Sequence, residues 1–156
     1  MQPTHAEVIE RFYEAFKQRD AVAMNACYHP DVEFTDPAFG TLKGDDARAM
    51  WTMLCARAKD LAVQYSDVTA DSHRGTAHWE ARYTFAATGR KVHNVIDARF
   101  EFEDGLIRRH IDTFDFARWA GQALGVLGKL LGRASFFQKG FQRKARALLA
   151  SSGKSA

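Results

Sequence analysis

Hydrophobic residues recur at helical spacing near the start of the chain. Val8, Ile9, Phe12, Tyr13, Ala15 and Phe16 form one stripe, and Thr4-His5-Ala6-Glu7 ahead of them fits a capping box, so a helix is predicted from Thr4. Asp20 is placed to cap a short second helix with Met24, Cys27 and Tyr28 inside, ending before Pro30. Val32-Glu33-Phe34-Thr35-Asp36 alternates as a strand and stops at Pro37. Gly40 and Gly44 flank a predicted loop. After it, Asp45 or Asp46 caps a third helix whose inner face is Met50, Trp51, Leu54, Cys55 and Ala58.

Beyond that helix the pattern alternates. Leu61 to Ser72 is a weakly patterned strand, Ala77 to Phe85 alternates cleanly, and Thr88-Gly89-Arg90 is a hairpin signal. Val92, Asn94, Ile96, Ala98, Phe100 and Phe102 share one face of the next strand, opposed by His93, Asp97, Arg99, Glu101 and Glu103. Asp104-Gly105 predicts a second hairpin, followed by a strand from Leu106 to about Phe116. Three helices and then a meander of long strands predict an α+β domain over residues 1–120. Gly121, Gly125, Gly128 and Gly132 then break the chain into short pieces. A basic extension over 121–156 is predicted, with an amphipathic helix over 134–150 carrying Phe137, Phe141, Leu148 and Leu149 on its apolar side.

Charge sharpens that division. All 19 acids lie at or before Asp115, against 14 basic residues there, a net −5; the remaining 8 basic residues give the tail +8. The body carries no basic stripe, which argues against nucleic acid as a partner. Cys27 and Cys55 have no metal or redox spacing and sit in apolar helical patterns. With no apolar run of membrane-spanning length and no signal-peptide layout at Met1–Glu7, a cytoplasmic protein with reduced cysteines is expected.

The order of elements, together with Arg19-Asp20, Tyr28-His29-Pro30-Asp31-Val32-Glu33-Phe34-Thr35-Asp36-Pro37 and the hairpin Phe100 to Ile107, resembles the nuclear-transport-factor-two-like superfamily. The likeness spans roughly Thr4 to Ala120 and is strongest to its SnoaL-like and ketosteroid-isomerase-like members. It implies a cone-shaped curved antiparallel sheet wrapped around three N-terminal helices, a cystatin-like α+β roll with a deep apolar pocket, here with an appended C-terminal helix. It also implies a homodimer formed through the outer sheet face. The scaffold hosts isomerases, cyclases, hydrolases and plain binding modules, so fold alone does not give activity.

Carried over residue by residue, the isomerase resemblance sets Asp36 on the catalytic base and Tyr28 on a supporting pocket tyrosine. Phe12, however, stands where the donor tyrosine belongs, and the second donor falls on Ala98, which argues against steroid isomerisation. A resemblance to the epoxide hydrolase of this fold, through Asp36, Asp112 and Asn94, lacks its arginine, because Arg82 alternates onto the outer face.

Asp36 follows Phe34 by two and points with it; in an apolar pocket its carboxyl is a base near neutral pH, whereas in a plain turn it caps amides before Pro37. His110, Asp112 and Phe114 share a face of the last strand, which the resemblance turns inward. His110 is then a proton partner oriented by Asp112, or the two are a buried pair satisfied within the fold. Asn94 interrupts an inward apolar run and needs a partner. Tyr13, Phe16, Tyr28, Phe34, Trp51, Asn94, Phe100 and Phe114 are the expected substrate contacts, and many aromatics suit a flat or cyclic apolar ligand.

No metal site is indicated among the six histidines, and no cofactor is called for. The expected function is cofactor-independent acid/base chemistry on an apolar cyclic or carbonyl-bearing substrate, of isomerase, cyclase or hydrolase type. The alternative is a non-catalytic ligand-binding or dimerisation module. The tail helix is expected to dock on the body, as lid or packing element. An anionic membrane surface is the less favoured site for it, since one helix with few anchors binds lipid marginally.

Overall fold

The computed structural model describes residues 1–154, so Ser155 and Ala156 of the predicted extension lie outside the described residues. Helix α1 (His5–Lys17) begins as its capping box requires: Thr4 Oγ1 accepts the Glu7 amide at 3.2 Å and Glu7 Oε2 accepts the Thr4 amide at 2.7 Å. Its apolar stripe is buried from Val8 to Phe16. Helix α2 (Ala21–Ala26) starts where Asp20 Oδ1 accepts the Ala23 amide.

Strand β1 (Tyr28–Asp36) runs to the Asp36-Pro37 turn and pairs with β2 (Gly40–Lys43), placing Phe34 opposite Leu42. The stretch between Gly40 and Gly44 is thus a strand, not the predicted loop. Gly40 at φ 75 makes the tight return possible, and the side chains of Arg146 and Gln142 lie close beside it. Helix α3 (Asp45–Arg57) buries Met50, Trp51, Met53 and Cys55.

Strands β3 (Ala62–Ala70), β4 (Arg74–Phe85), β5 (Arg90–Glu103) and β6 (Leu106–Thr113) follow, giving one curved six-stranded sheet in the order β2-β1-β6-β5-β4-β3. The meander is antiparallel as predicted. The pair β1–β6 is parallel, because the last strand returns beside the first in the same direction. The even-numbered face of β5 is buried from Val92 to Phe100.

Strand β6 stops at Thr113, short of Phe116, because Asp115 accepts the Arg118 amide and caps α4 (Phe116–Leu124). That helix runs through Gly121 and turns into α5 (Val126–Leu131), and Gly128 leaves no room for a Cβ against the Ala120 carbonyl. The final helix, α6 (Ser135–Lys154), is docked: Leu149 is buried in the main core, and Phe137 and Phe141 pack on a second cluster of Val92, Phe116, Trp119, Ala120 and Ala123. No helix among the described residues is long and apolar enough to cross a membrane.

Candidate active site

A cavity of about 660 Å³ lies between the concave sheet face, α3 and the C-terminal helices. Its walls are mostly aromatic, with Phe16, Trp51, Trp79, Phe114, Trp119 and Phe141 among them. The polar residues lining it are few: Asp36, Asp112, Asn94, Tyr83 and Thr84, with Arg57 and Lys144 exposed at its rim. A shallower depression beside Arg19 and Lys59 is wide open and gathers no such set.

The two carboxylates are brought together by the parallel pair. Phe34 sits beside His110 and Thr35 beside Ile111, so one residue further on Asp36 and Asp112 emerge from neighbouring strands on the cavity face. Asp36 is half-buried and uses Oδ1 to accept the amides of Ala38 (2.9 Å) and Phe39 (2.6 Å). The turn aspartate and the pocket aspartate of the sequence reading are therefore one group. Burial pushes its carboxyl up to about 7 and the nearby Asp112 charge adds to this, while the two amides pull the other way.

That turn is held from outside as well. Gln138 and Gln142 of α6 donate to the Pro37 carbonyl at 3.0 and 3.1 Å, and Arg146 donates to the Phe39 carbonyl at 2.7 Å. The tail helix is thus both a wall of the cavity and a clasp on the segment that positions Asp36.

Asp112 stands at the end of a buried polar chain. Trp51 Nε1 donates to the Tyr28 hydroxyl at 2.8 Å, and that hydroxyl is 2.8 Å from His110 Nδ1. His110 Nε2 is 2.9 Å from Asp112 Oδ1, which also accepts from Trp79 Nε1 at 3.2 Å. A carboxylate only accepts, so the Nε2–H tautomer of His110 completes the chain, with the Tyr28 hydroxyl donating to Nδ1. His110 itself is 0% exposed and enclosed by Phe12, Phe34 and Phe100. Burial also raises the Tyr28 hydroxyl well above its ordinary value.

Of the residues singled out from the sequence, Asp36, Asp112, Asn94, Phe16, Trp51 and Phe114 line the cavity. His110, Tyr28, Tyr13, Phe34 and Phe100 lie in the packed layer behind it. Tyr13 is fully buried with its hydroxyl unpartnered among the described residues. The Asn94 amide has no protein partner among them and lies on the cavity wall.

Sequence reasoning missed Phe39, Trp119, Arg57 and Lys144. Trp119 was findable, because α4 is strongly amphipathic. Arg57 gave no signal, since a basic residue in the last turn of a helix is ordinary. The Tyr83 hydroxyl accepts from Trp119 Nε1 at 2.8 Å and is pushed by burial up to about 12. Arg82 is exposed, away from the cavity.

His29, Glu103 and Asp104 bring ligand atoms within 4.8 Å of one another at the β5–β6 hairpin. His29 Nδ1 accepts the Asp31 amide, which leaves the proton on Nε2, the atom 3.6 Å from Asp104. That is a hydrogen-bonding tautomer, opposite to the one a metal at Nε2 requires.

Solved structures share this architecture. A candidate polyketide cyclase from Xanthomonas campestris pv. campestris is 25% identical, covering 76% of this chain and 96% of that one with a TM-score of 0.60. An epoxide hydrolase of LEH-like type from M. tuberculosis is 17% identical over 81% and 94%, TM-score 0.62. TerC, crystallised with polyporic acid, is 21% identical over 71% and 91%, TM-score 0.59. The latter two likenesses show the fold alone. Comparison with curated protein sequences finds no match. The profile of the SnoaL-like domain matches residues 9–110, which takes in all of β1 and β6 as far as His110 and stops two residues short of Asp112. On that match over most of its folded body, the chain belongs to the SnoaL-like domain family.

Proposed function

We propose that the chain is a cofactor-independent enzyme that moves a proton on an apolar, cyclic, carbonyl-bearing small molecule. The observation that carries this is the placement of Asp36 and Asp112 side by side in an aromatic cavity, with Asp36 pushed up to about 7. A base works best when its pKa lies near the working pH, and Asp36 meets that condition. In this reading Asp36 takes a proton from carbon beside the carbonyl, and the Asn94 amide donates to the carbonyl oxygen as charge develops there.

Asp112 takes the second cavity-facing role. His110, expected from sequence as the proton partner, acts through it as a positioning residue, because it is sealed beneath the wall. The likeness to a candidate polyketide cyclase supports a fused or cyclisable ring system as the substrate class. The acting unit is proposed to be a homodimer through the outer sheet face, where Asp97, His78, Glu80 and His93 form a hydrogen-bonded ladder.

Deuterium uptake tests the chemistry. Polycyclic ketones incubated in heavy water with the protein should gain deuterium at the carbon beside the carbonyl, and Asp36→Asn should slow uptake by about a hundredfold or more. A ring ketone that binds in the cavity without exchanging would instead favour the non-catalytic binding module.

A further inference from the structure

The large apolar side chains that this fold leaves in water are not scattered. Among the described residues, and apart from Met1 and Val22, the exposed ones are Val126, Leu127, Leu130, Phe136 and Leu148, all on α5 and α6. Leu127, Phe136 and Leu148 are 56%, 68% and 42% exposed, yet they also line the cavity. The cavity therefore opens to solvent at a rim that α5 and α6 share with Arg57 of α3 and with Ala86 and Ala87 of the β4–β5 turn, and the α5–α6 side of that rim is an apolar lip. Val126 and Leu130, 72% and 77% exposed, stand four apart on α5 and extend that lip outward.

The ground around the lip is of one sign. Lys129, Arg133, Lys139, Arg143 and Lys144 are exposed, and none makes an ion pair among the described residues. No acid follows Asp115 in the chain. Apolar side chains flanked by unpaired cations suit an anionic partner with an apolar interior. A second copy of this chain seated lip to lip would set five cations against five, which opposes that pairing.

We propose that the α5–α6 lip docks on the surface of an anionic lipid bilayer, with Val126, Leu127, Leu130 and Phe136 in the headgroup boundary and the surrounding lysines and arginines on lipid phosphates. Docked this way, the cavity mouth faces the phase in which an apolar ligand concentrates, and the ligand reaches Asp36 without crossing water. The tail helix alone has too few anchors for this, since its Leu149 side is spent on the body. The short helix α5 supplies the rest. The inference rests on the cavity and its lip and does not depend on what chemistry, if any, follows.

Co-sedimentation of the full chain with vesicles tests it, using three parts phosphatidylcholine to one part phosphatidylglycerol against pure phosphatidylcholine. The full chain should pellet with the anionic vesicles and stay in solution with the neutral ones. Val126→Ser/Leu130→Ser and, separately, Lys129→Glu/Lys139→Glu should each weaken the anionic binding by roughly tenfold, at unchanged melting temperature. Neither pair lines the cavity. The proposal is overturned by a chain that ignores both vesicles, or by Val126→Ser/Leu130→Ser binding as the parent does. It is equally overturned if sedimentation velocity without lipid shows an oligomer that this double variant dissolves, since the lip then meets a second copy.

Discussion

The floor of the cavity and its lid are built on opposite plans. The floor is the β1–β6 pair with its chain from Trp51 through Tyr28 and His110 to Asp112, and its hydrogen-bonding groups are matched within the fold. The lid is α4 to α6. Helix α4 is tied to the sheet by bonds from Thr88, Arg90 and the His93 amide and by Trp119 to Tyr83. Helix α6 is held by Gln138, Gln142 and Arg146 on backbone carbonyls and by packed rings, with apolar and cationic groups of α5 and α6 left in water. A sealed polar floor fixes where a carboxylate points, whereas the helical lid governs access and the turn beneath it. Chemistry and admission are thus assigned to separate parts of the chain.

Removing His110 should damage the floor most. His110→Ala removes the acceptor of the Tyr28 hydroxyl proton and one of the two donors to Asp112 Oδ1, and leaves a void in the core, which together should cost roughly 3–5 kcal/mol by urea denaturation. A loss below about 1 kcal/mol would mean the chain from Tyr28 to Asp112 is not the rigid support described. On the lid side, Leu149→Ala should cost about 2–4 kcal/mol overall. Its distinguishing mark is hydrogen exchange: α6 amides should open ahead of those in β5, because α6 rests on far less structure. Uniform opening of both would erase the distinction between the two regions.

Asp36 belongs to both regions, and pH reads it. Its folded-state carboxyl is raised from an ordinary 3.8 to about 7, so between those values the folded chain keeps a proton the unfolded chain releases. Stability from this group is therefore complete below about pH 4 and lost as the pH rises through 7. Asp36→Asn keeps an oxygen for the Ala38 and Phe39 amides and abolishes that loss. It should match the parent in acid and exceed it by about 4 kcal/mol at pH 8, while destroying deuterium exchange. The smallest effect is expected at Tyr13, whose buried hydroxyl has no partner. Tyr13→Phe should leave stability unchanged or raise it by about 1 kcal/mol, and a clear loss in a thermal melt would mean that the hydroxyl is hydrogen-bonded after all.

How much of this the sequence disclosed follows from the range of each interaction. The capping box at Thr4, the alternation of β5 and the inward facing of Asp36 with Phe34 are local, and each is legible from neighbours in the chain. The parallel return of β6 beside β1 is not local, and it decides that Asp36 and Asp112 meet. Facing was legible for His110, but depth was not: an inward side chain can end at the cavity or in the layer behind it. Three rings around the imidazole, from α1, β1 and β5, put it behind. The strand β2 was hidden because Gly40-Thr41-Leu42-Lys43 is too short to show a period. The tail's apolar stripe predicted docking, yet that it clasps the Pro37 turn depends on two glutamines and an arginine that resemble any solvated helix face.

The raised carboxyl of Asp36 is the claim on which the floor, the clasp and the proposed proton transfer converge. Carbon-13 NMR of the aspartate carboxyls, followed from pH 3 to 9 in the parent and in Asp36→Asn, measures it directly. One carboxyl resonance titrating near 7 in the parent and missing from Asp36→Asn is the expected result; an Asp36 resonance titrating below about 5, in the range of an ordinary carboxylate, would contradict it.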